Sequence, residues 1–292
     1  MKITRREHLW YGQFHCMASP CEVLIETQDE QQAHKLINLA QQEATRIEQK
    51  FSRYRNDNIV FNIHHSHGKP VQIDDETYRL LQFADKCYQL SDGLFDITSG
   101  VLRQLWNFNG SGEIPRQSQI DKILQHIGWK KITFNESEIT LPHGMQIDFG
   151  GIGKEYAVDR VLQLLEAESS CSMMINFGGD CHANAPQKNG QPWMTGIENP
   201  LKPGDAAGVI QLMQGALATS GDVYRFIQQG GIRYSHILNP KTGWPVMNGP
   251  RSITVAAATC TEAGILSTLA MLQGKNAERF LKKQGVKYWC YR

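Results

Sequence analysis

The sequence predicts an α+β fold of mostly antiparallel strands with flanking helices, in one continuous unit over residues 1–292. Three observations predict it. Helical periodicity alternates with short strands in the first half. Strand signals dominate the second half. No Pro- or Ser-rich linker divides the chain. Length allows one large domain or two ordinary ones, and a division near residue 115 is the alternative.

The elements follow in chain order. Pro20–Glu26 ends in alternating apolar residues and reads as a strand. Residues 30–50 place Ala33, Leu36, Ile37, Leu39, Ala40, Ala44 and Ile47 near helical spacing. Thr77–Leu90 reads as a second helix, with Asp74 or Asp75 in the N-cap region, and Gln117–Ile127 as a third. Met145–Phe149, Met173–Phe177, Val209–Leu212 and Ile253–Ala257 are short, apolar and bounded by turn residues, so strands are expected there. Helices are expected at Tyr156–Glu166, Glu262–Leu272 and Asn276–Gln284.

Composition then narrows the function. Lys and Arg total 30 against 29 Asp and Glu, and this +1 balance speaks against sequence-independent nucleic-acid binding or an anionic membrane surface. The positive charges of the first residues are followed by no apolar segment, so a cytoplasmic location is expected. Residues 252–274 are too polar to span a bilayer. The 7 cysteines include no CxxC pair, so neither a zinc knuckle nor a redox motif is signalled, and free thiols suit a reducing compartment. His64, His65 and His67 could bind a transition metal, but no carboxylate or cysteine nearby completes a set, and a solvated loop is the expected reading.

The chemistry lies in glycine-rich turns. Asp148-Phe149-Gly150-Gly151-Ile152-Gly153-Lys154-Glu155 joins an expected strand to an expected helix. Successive N–H groups, a helix N-terminus and Lys154 could cradle a phosphate; a tight structural turn is the other reading. The pattern is neither GxGxxG nor a P-loop. Asn176-Phe177-Gly178-Gly179-Asp180 is a second such turn. His236 follows Ser235 near the end of an expected strand, so the two side chains point to opposite faces and form no Ser–His pair. An acid/base group, a ligand and a structural residue all remain open for His236.

Taken together, these segments resemble the ApbE family of flavin transferases, collinearly and over nearly the whole chain. The matching segments are Met17-Ala18-Ser19, Phe51-Ser52-Arg53-Tyr54, Gly93–Thr98 with Trp106 and Phe108, residues 148–159, and residues 176–180. Ala218–Asp222, residues 234–245 and the helix through Thr268 complete the set. The resemblance implies an FAD:protein FMN transferase that uses Mg2+. It would move FMN from FAD to a threonine hydroxyl of a target flavoprotein and release AMP. It also implies roles. Met17 and Tyr54 would pack on the rings, while Leu94, Phe95 and Asp96 would line the FAD cleft. Asp148 would accept hydrogen bonds from FAD, Lys154 would lie close to it, and the backbone near Leu238 would touch the flavin. The Gly151 carbonyl and Thr268 would reach the metal, and His236 would be the base. Asp180 and Asp222 would serve as support.

One departure is important. The family's metal helix usually reads Ala-Asp-Ala-Leu-Ser-Thr, but here Gly264 stands where the aspartate would. Glu262 lies about 200° around the helix and cannot substitute. Either the metal is held by the diphosphate, waters and Asp148, or activity is weakened. The second case would leave an FAD-binding flavin carrier or sensor, and hydrolysis of FAD is a third reading. If the missing ligand limits activity, Gly264→Asp should raise Mg2+-dependent turnover. Glu155 replaces a frequent glycine of the family; a carboxylate on the first helical turn suits the dipole, so this change is expected to be mild.

Overall fold

The computed structural model describes residues 1–109, 112–202 and 204–292. Its centre is an eight-stranded sheet in which every neighbouring pair is antiparallel. The spatial order is Lys2–Arg6, Leu9–Cys16, Ser19–Glu26, Ser172–Phe177, Asp180–Ala183, Gly215–Gly221, Ser252–Ala257, Lys287–Tyr291. The α+β class is therefore the observed one. Strands from both ends of the chain share this sheet.

Both faces of the sheet are covered, and the period-2 alternation of strands decides what goes where. Val23 and Ile25 face the main core with Met173, Ile175, Ala218, Ile253 and Val255. The helices Glu30–Phe51, Gly153–Glu168 and Cys260–Leu272 pack on that side. Leu24, Met174, Cys181 and Leu217 point the other way, onto Trp193, Ile197, Ile210 and Leu212. These last four belong to the hairpin Trp193–Glu198 with Ala206–Leu212. Burial on both faces explains why Val23–Glu26 is an unbroken buried run.

The helix starts follow their caps. Asp29 accepts from the Gln32 amide at 3.0 Å, and Asp74 from the Thr77 amide at 3.0 Å. The expected helices are all present, with bounds shifted by a few residues. Met145–Phe149 is a correction: no ladder forms there. Met145 and Ile147 are buried in alternation, but the Asp148 amide bonds Ile97 O and the Ile147 amide bonds His64 Nε2. Alternation without a neighbouring strand gives an extended segment, not a strand. The histidine tract is corrected too. Ile59–His64 is a helix capped by Asn58, and His64 is partly buried against Ile147, while His65 and His67 are exposed.

Candidate functional site

Turns from several elements converge on a cleft of about 710 Å³, a size within the range of cofactor sites. The residues that the resemblance gives a cofactor, metal or catalytic role all line it: Met17, Tyr54, Leu94, Phe95, Asp96, Asp148, Gly151, Lys154, His236, Leu238 and Thr268. They come from six separate stretches of chain, so only folding brings them together.

One wall begins at the two-residue turn between Leu9–Cys16 and Ser19–Glu26. Met17 and Ala18 both take left-handed backbone, φ 52° and 54°. Side chains with a Cβ adopt this at a cost of about 1–3 kcal/mol each. Glu48 holds the turn, accepting from the Met17 amide at 2.8 Å and from Cys16 Sγ at 3.2 Å. Tyr54 stands at the rim, 80 % exposed, where a planar ligand would find an aromatic face.

Two aspartates shape the floor by capping short 3-10 helices. Asp96 Oδ1 accepts from the Thr98 amide and hydroxyl, and its Oδ2 accepts from the Trp129 amide. Asp148 Oδ1 accepts from the Gly150 amide at 2.8 Å, and its Oδ2 is held by Arg53 at 2.9 Å. Phe149–Gly151 is thus a helical turn whose glycines leave room beside Phe95; a Cβ on Gly151 would meet that ring at 2.9 Å. Lys154 is less free than its sequence position suggests, because its ammonium lies 2.6 Å from Asp180. Burial alone would lower the Lys154 pKa, but the Asp180 carboxylate outweighs it and keeps it raised. Asp180 also accepts from the Thr219 amide, and Asp222 from the Arg233 guanidinium, so both support neighbouring segments.

His236 faces the cleft directly after the strand Ile232–Ser235. Its Nδ1 lies 3.2 Å from the Arg225 carbonyl. A carbonyl only accepts, so Nδ1 carries the proton and Nε2 is left with a lone pair. Burial, then the Arg225 and Arg103 charges, lower its pKa to about 4, which keeps the ring neutral at pH 7. Thr268 Oγ1 meets Ser220 Oγ at 2.9 Å, and Ser267 Oγ meets the same hydroxyl at 2.8 Å.

Glu155 is the correction with the largest consequence. It is 8 % exposed, and its side chain fills the space over Gly264. A Cβ built on Gly264 would meet Glu155 Cγ at 2.4 Å. Glu155 Oε2 is buried without a hydrogen-bond partner. Burial, with the Asp180 charge adding to it, pushes this carboxyl up to about 8. The expectation of a mild change at an exposed first turn therefore fails. Gly264 itself does not line the cleft, whereas Glu155 does. Sequence reasoning gave no role to Glu48, Arg53, Arg103 and Arg225, which line the same cleft.

The model of the ApbE family matches residues 17–290. The chain belongs to the ApbE family. It is similar to the ApbE protein of Thermotoga maritima, at 30 % identity and TM-score 0.88, covering 97 % of this chain and 94 % of that one. The FAD:protein FMN transferase of Haemophilus influenzae is 29 % identical over 242 residues, 79 % of this chain and 70 % of the relative. The Vibrio cholerae enzyme of the same name is 29 % identical over 237 residues, 78 % of this chain and 70 % of the relative. The flavinyl transferase ApbE of Pseudomonas stutzeri shares the fold, with TM-score 0.85 at 24 % identity, over 96 % of this chain and 90 % of that one.

Membership in this family gives the cleft charges a meaning. Arg53, Arg103, Lys154 and Arg225 face Glu48, Asp96, Asp148, Glu155, Asp180 and Glu198. Four cations against six carboxylates is no basic funnel. The donors such a cleft offers an anion are backbone amides at the glycine turns and the Arg53 and Arg103 guanidinium groups beside Asp148.

Proposed function

We propose that this protein is an FAD:protein FMN transferase that moves FMN from FAD to a threonine hydroxyl of an acceptor flavoprotein, with release of AMP and with Mg2+ as cofactor. The observation that carries the reading is the convergence of all eleven motif residues on one cleft in a chain of this family. Transferases named for this reaction are among its relatives. The cysteines among the described residues are all free, which suits a cytoplasmic setting.

The reaction forms a bond between the acceptor oxygen and the FMN phosphorus. It breaks the bond from that phosphorus to the bridging oxygen, which leaves with AMP. His236 Nε2 takes the hydroxyl proton, since Nδ1 is occupied by its bond to the Arg225 carbonyl. Met17, Tyr54, Leu94, Phe95 and Leu238 hold the ring systems. Asp148 fixes the Phe149–Gly151 turn and orients Arg53 toward the cleft. Lys154 and Asp180, locked together, fix the second glycine turn beside it.

The residues present fit a divalent cation shared with a bound diphosphate. Among the described residues no group of three or more His, Cys, Asp or Glu could hold a metal alone. Mg2+ is commonly held by only one or two carboxylates with phosphates and waters, and the cleft offers a buried carboxylate oxygen without a partner. Gly151 and Thr268 would face the ion. When bound, Mg2+ neutralises charge on the diphosphate oxygens.

The test is incubation of the protein with FAD, Mg2+ and a threonine-bearing acceptor. Covalent fluorescent flavin on the acceptor with stoichiometric AMP is the expected result. Tight FAD binding without turnover would overturn the reading in favour of a carrier. AMP and FMN formed without acceptor would overturn it in favour of hydrolysis.

A further inference from the structure

Glu155 lies on the first turn of the helix Gly153–Glu168, yet it points neither to solvent nor to a basic partner. The nearest cation in sequence, Lys154, is bound to Asp180 at 2.6 Å. Glu155 Oε2 is buried and has no hydrogen-bond partner. Such an oxygen is met by a proton, a water or a cation.

Its position says which. Glu155 Cγ, Cδ and Oε1 lie 2.4, 3.0 and 3.0 Å from where a Cβ on Gly264 would sit, so the carboxylate occupies the volume that a side chain at 264 would take. Gly264 and Thr268 are four apart on the helix Cys260–Leu272, and so share one face. The Glu155 carboxylate therefore stands on the face that carries the Thr268 hydroxyl, and both residues line the cleft. The absence of a side chain at 264 is what gives Glu155 room.

We infer that Glu155 supplies the carboxylate ligand for the divalent cation, reaching from the helix Gly153–Glu168 into the space left by Gly264. Resting on the transferase reading, this supplies the carboxylate that position 264 lacks; Asp180 Oδ2, buried in the same cleft, is already claimed by Lys154 at 2.6 Å. Asp148 is the less available carboxylate, because each of its oxygens already accepts a hydrogen bond, from the Gly150 amide and from Arg53. One carboxylate, one hydroxyl and a carbonyl form a partial set, so cation binding depends on the phosphates of FAD.

The experiment is a Mn2+ titration of the full chain followed by electron paramagnetic resonance, with and without saturating FAD. Wild-type protein is expected to take one Mn2+ per chain, only when FAD is present. Glu155→Gln should weaken Mn2+ at least tenfold, while FAD affinity in EDTA changes less than threefold. The exchange Glu155→Gly with Gly264→Asp should bring Mn2+ affinity back to within threefold of wild type. Wild-type Mn2+ affinity in Glu155→Gln, or no FAD-dependent Mn2+ in the wild type, overturns the assignment. The transferase reading fails separately. FAD-dependent Mn2+ binding that Glu155→Gln weakens, in a wild type that never labels an acceptor, would keep the site and remove the activity.

Discussion

At the scale of single residues, His236 carries the sharpest expectation. Its Nδ1 proton is spent on the Arg225 carbonyl, so the reactive lone pair is on Nε2. His236→Ala should lower flavin transfer by about 10²–10⁴-fold, with the FAD dissociation constant little changed. The pH dependence follows from the environment. A base must be unprotonated, and burial together with Arg225 and Arg103 depresses this imidazole to about 4, with Asp222 acting weakly the other way. The acid limb of kcat/KM due to His236 should then lie near pH 4, well below an ordinary histidine. With FAD bound, the diphosphate charge raises it, so the kcat limb should sit higher. Initial rates across pH with both substrates varied would check both limbs. The candidate base was legible in the sequence because a histidine stands within a recognisable motif. Its tautomer and its depressed pKa were not, since Arg225 and Arg103 approach from distant positions.

At the scale of elements, the packing of the helices Gly153–Glu168 and Cys260–Leu272 decides two outcomes. The first reverses an expectation from the sequence. Gly264→Asp alone should not raise turnover: its Cβ would collide with Glu155 and place a second carboxylate beside it. Replacing a helix-interior glycine gains up to roughly 1 kcal/mol, and overpacking costs about 1–3 kcal/mol, so the clash wins. Thermal melts should show a lower Tm for Gly264→Asp, relieved by adding Glu155→Gly.

The second outcome concerns Asp159, which ties the same two helices together. Its carboxylate accepts from the Cys260 and Thr261 amides, both at 2.8 Å, and from His182 Nδ1 at 2.7 Å. Removing one partner of such a network costs roughly 3 kcal/mol, so Asp159→Ala should shift the urea midpoint accordingly. Burial opposes ionisation, but His182, Thr261 and the amides prevail and hold the Asp159 carboxyl below its usual range. This contribution is therefore present above the unfolded carboxyl's pKa and is lost as pH falls through the folded value. The stability gap between wild type and Asp159→Ala should narrow only in acid. Asp159 is visible in the sequence within residues 148–159, but nothing local says that it caps a helix 101 residues later.

At the scale of the whole molecule, the cleft is a property of the sheet's strand order. Its walls include the turn after Leu9–Cys16, the turn after Ser172–Phe177 and the end of Gly215–Gly221, strands brought side by side in one antiparallel sheet. A ligand that touches all of them stabilises them jointly. FAD at a hundred times its dissociation constant should add about 2.7 kcal/mol, a Tm rise of roughly 6 °C. Because the main core draws on residues from Trp10 to Leu281, a single calorimetric transition is expected, with and without FAD. Two separable transitions would instead support a divided chain.

The sequence by itself determined the α+β class, the positions of the longer helices, the cap region at Asp74 and the glycine turns, because periodicity, capping and turn chemistry act over a few residues. It also determined the family, since motifs in order along the chain need no coordinates. Only the tertiary structure decided what those motifs touch. Met145–Phe149 alternates like a strand yet finds no partner strand. Lys154 looks free and is claimed by Asp180. Gly264 reads as a missing ligand, but it is also the opening through which Glu155, 109 residues earlier, is placed. Side-chain pairing and shared volume depend on which distant segments become neighbours, and local pattern does not encode that.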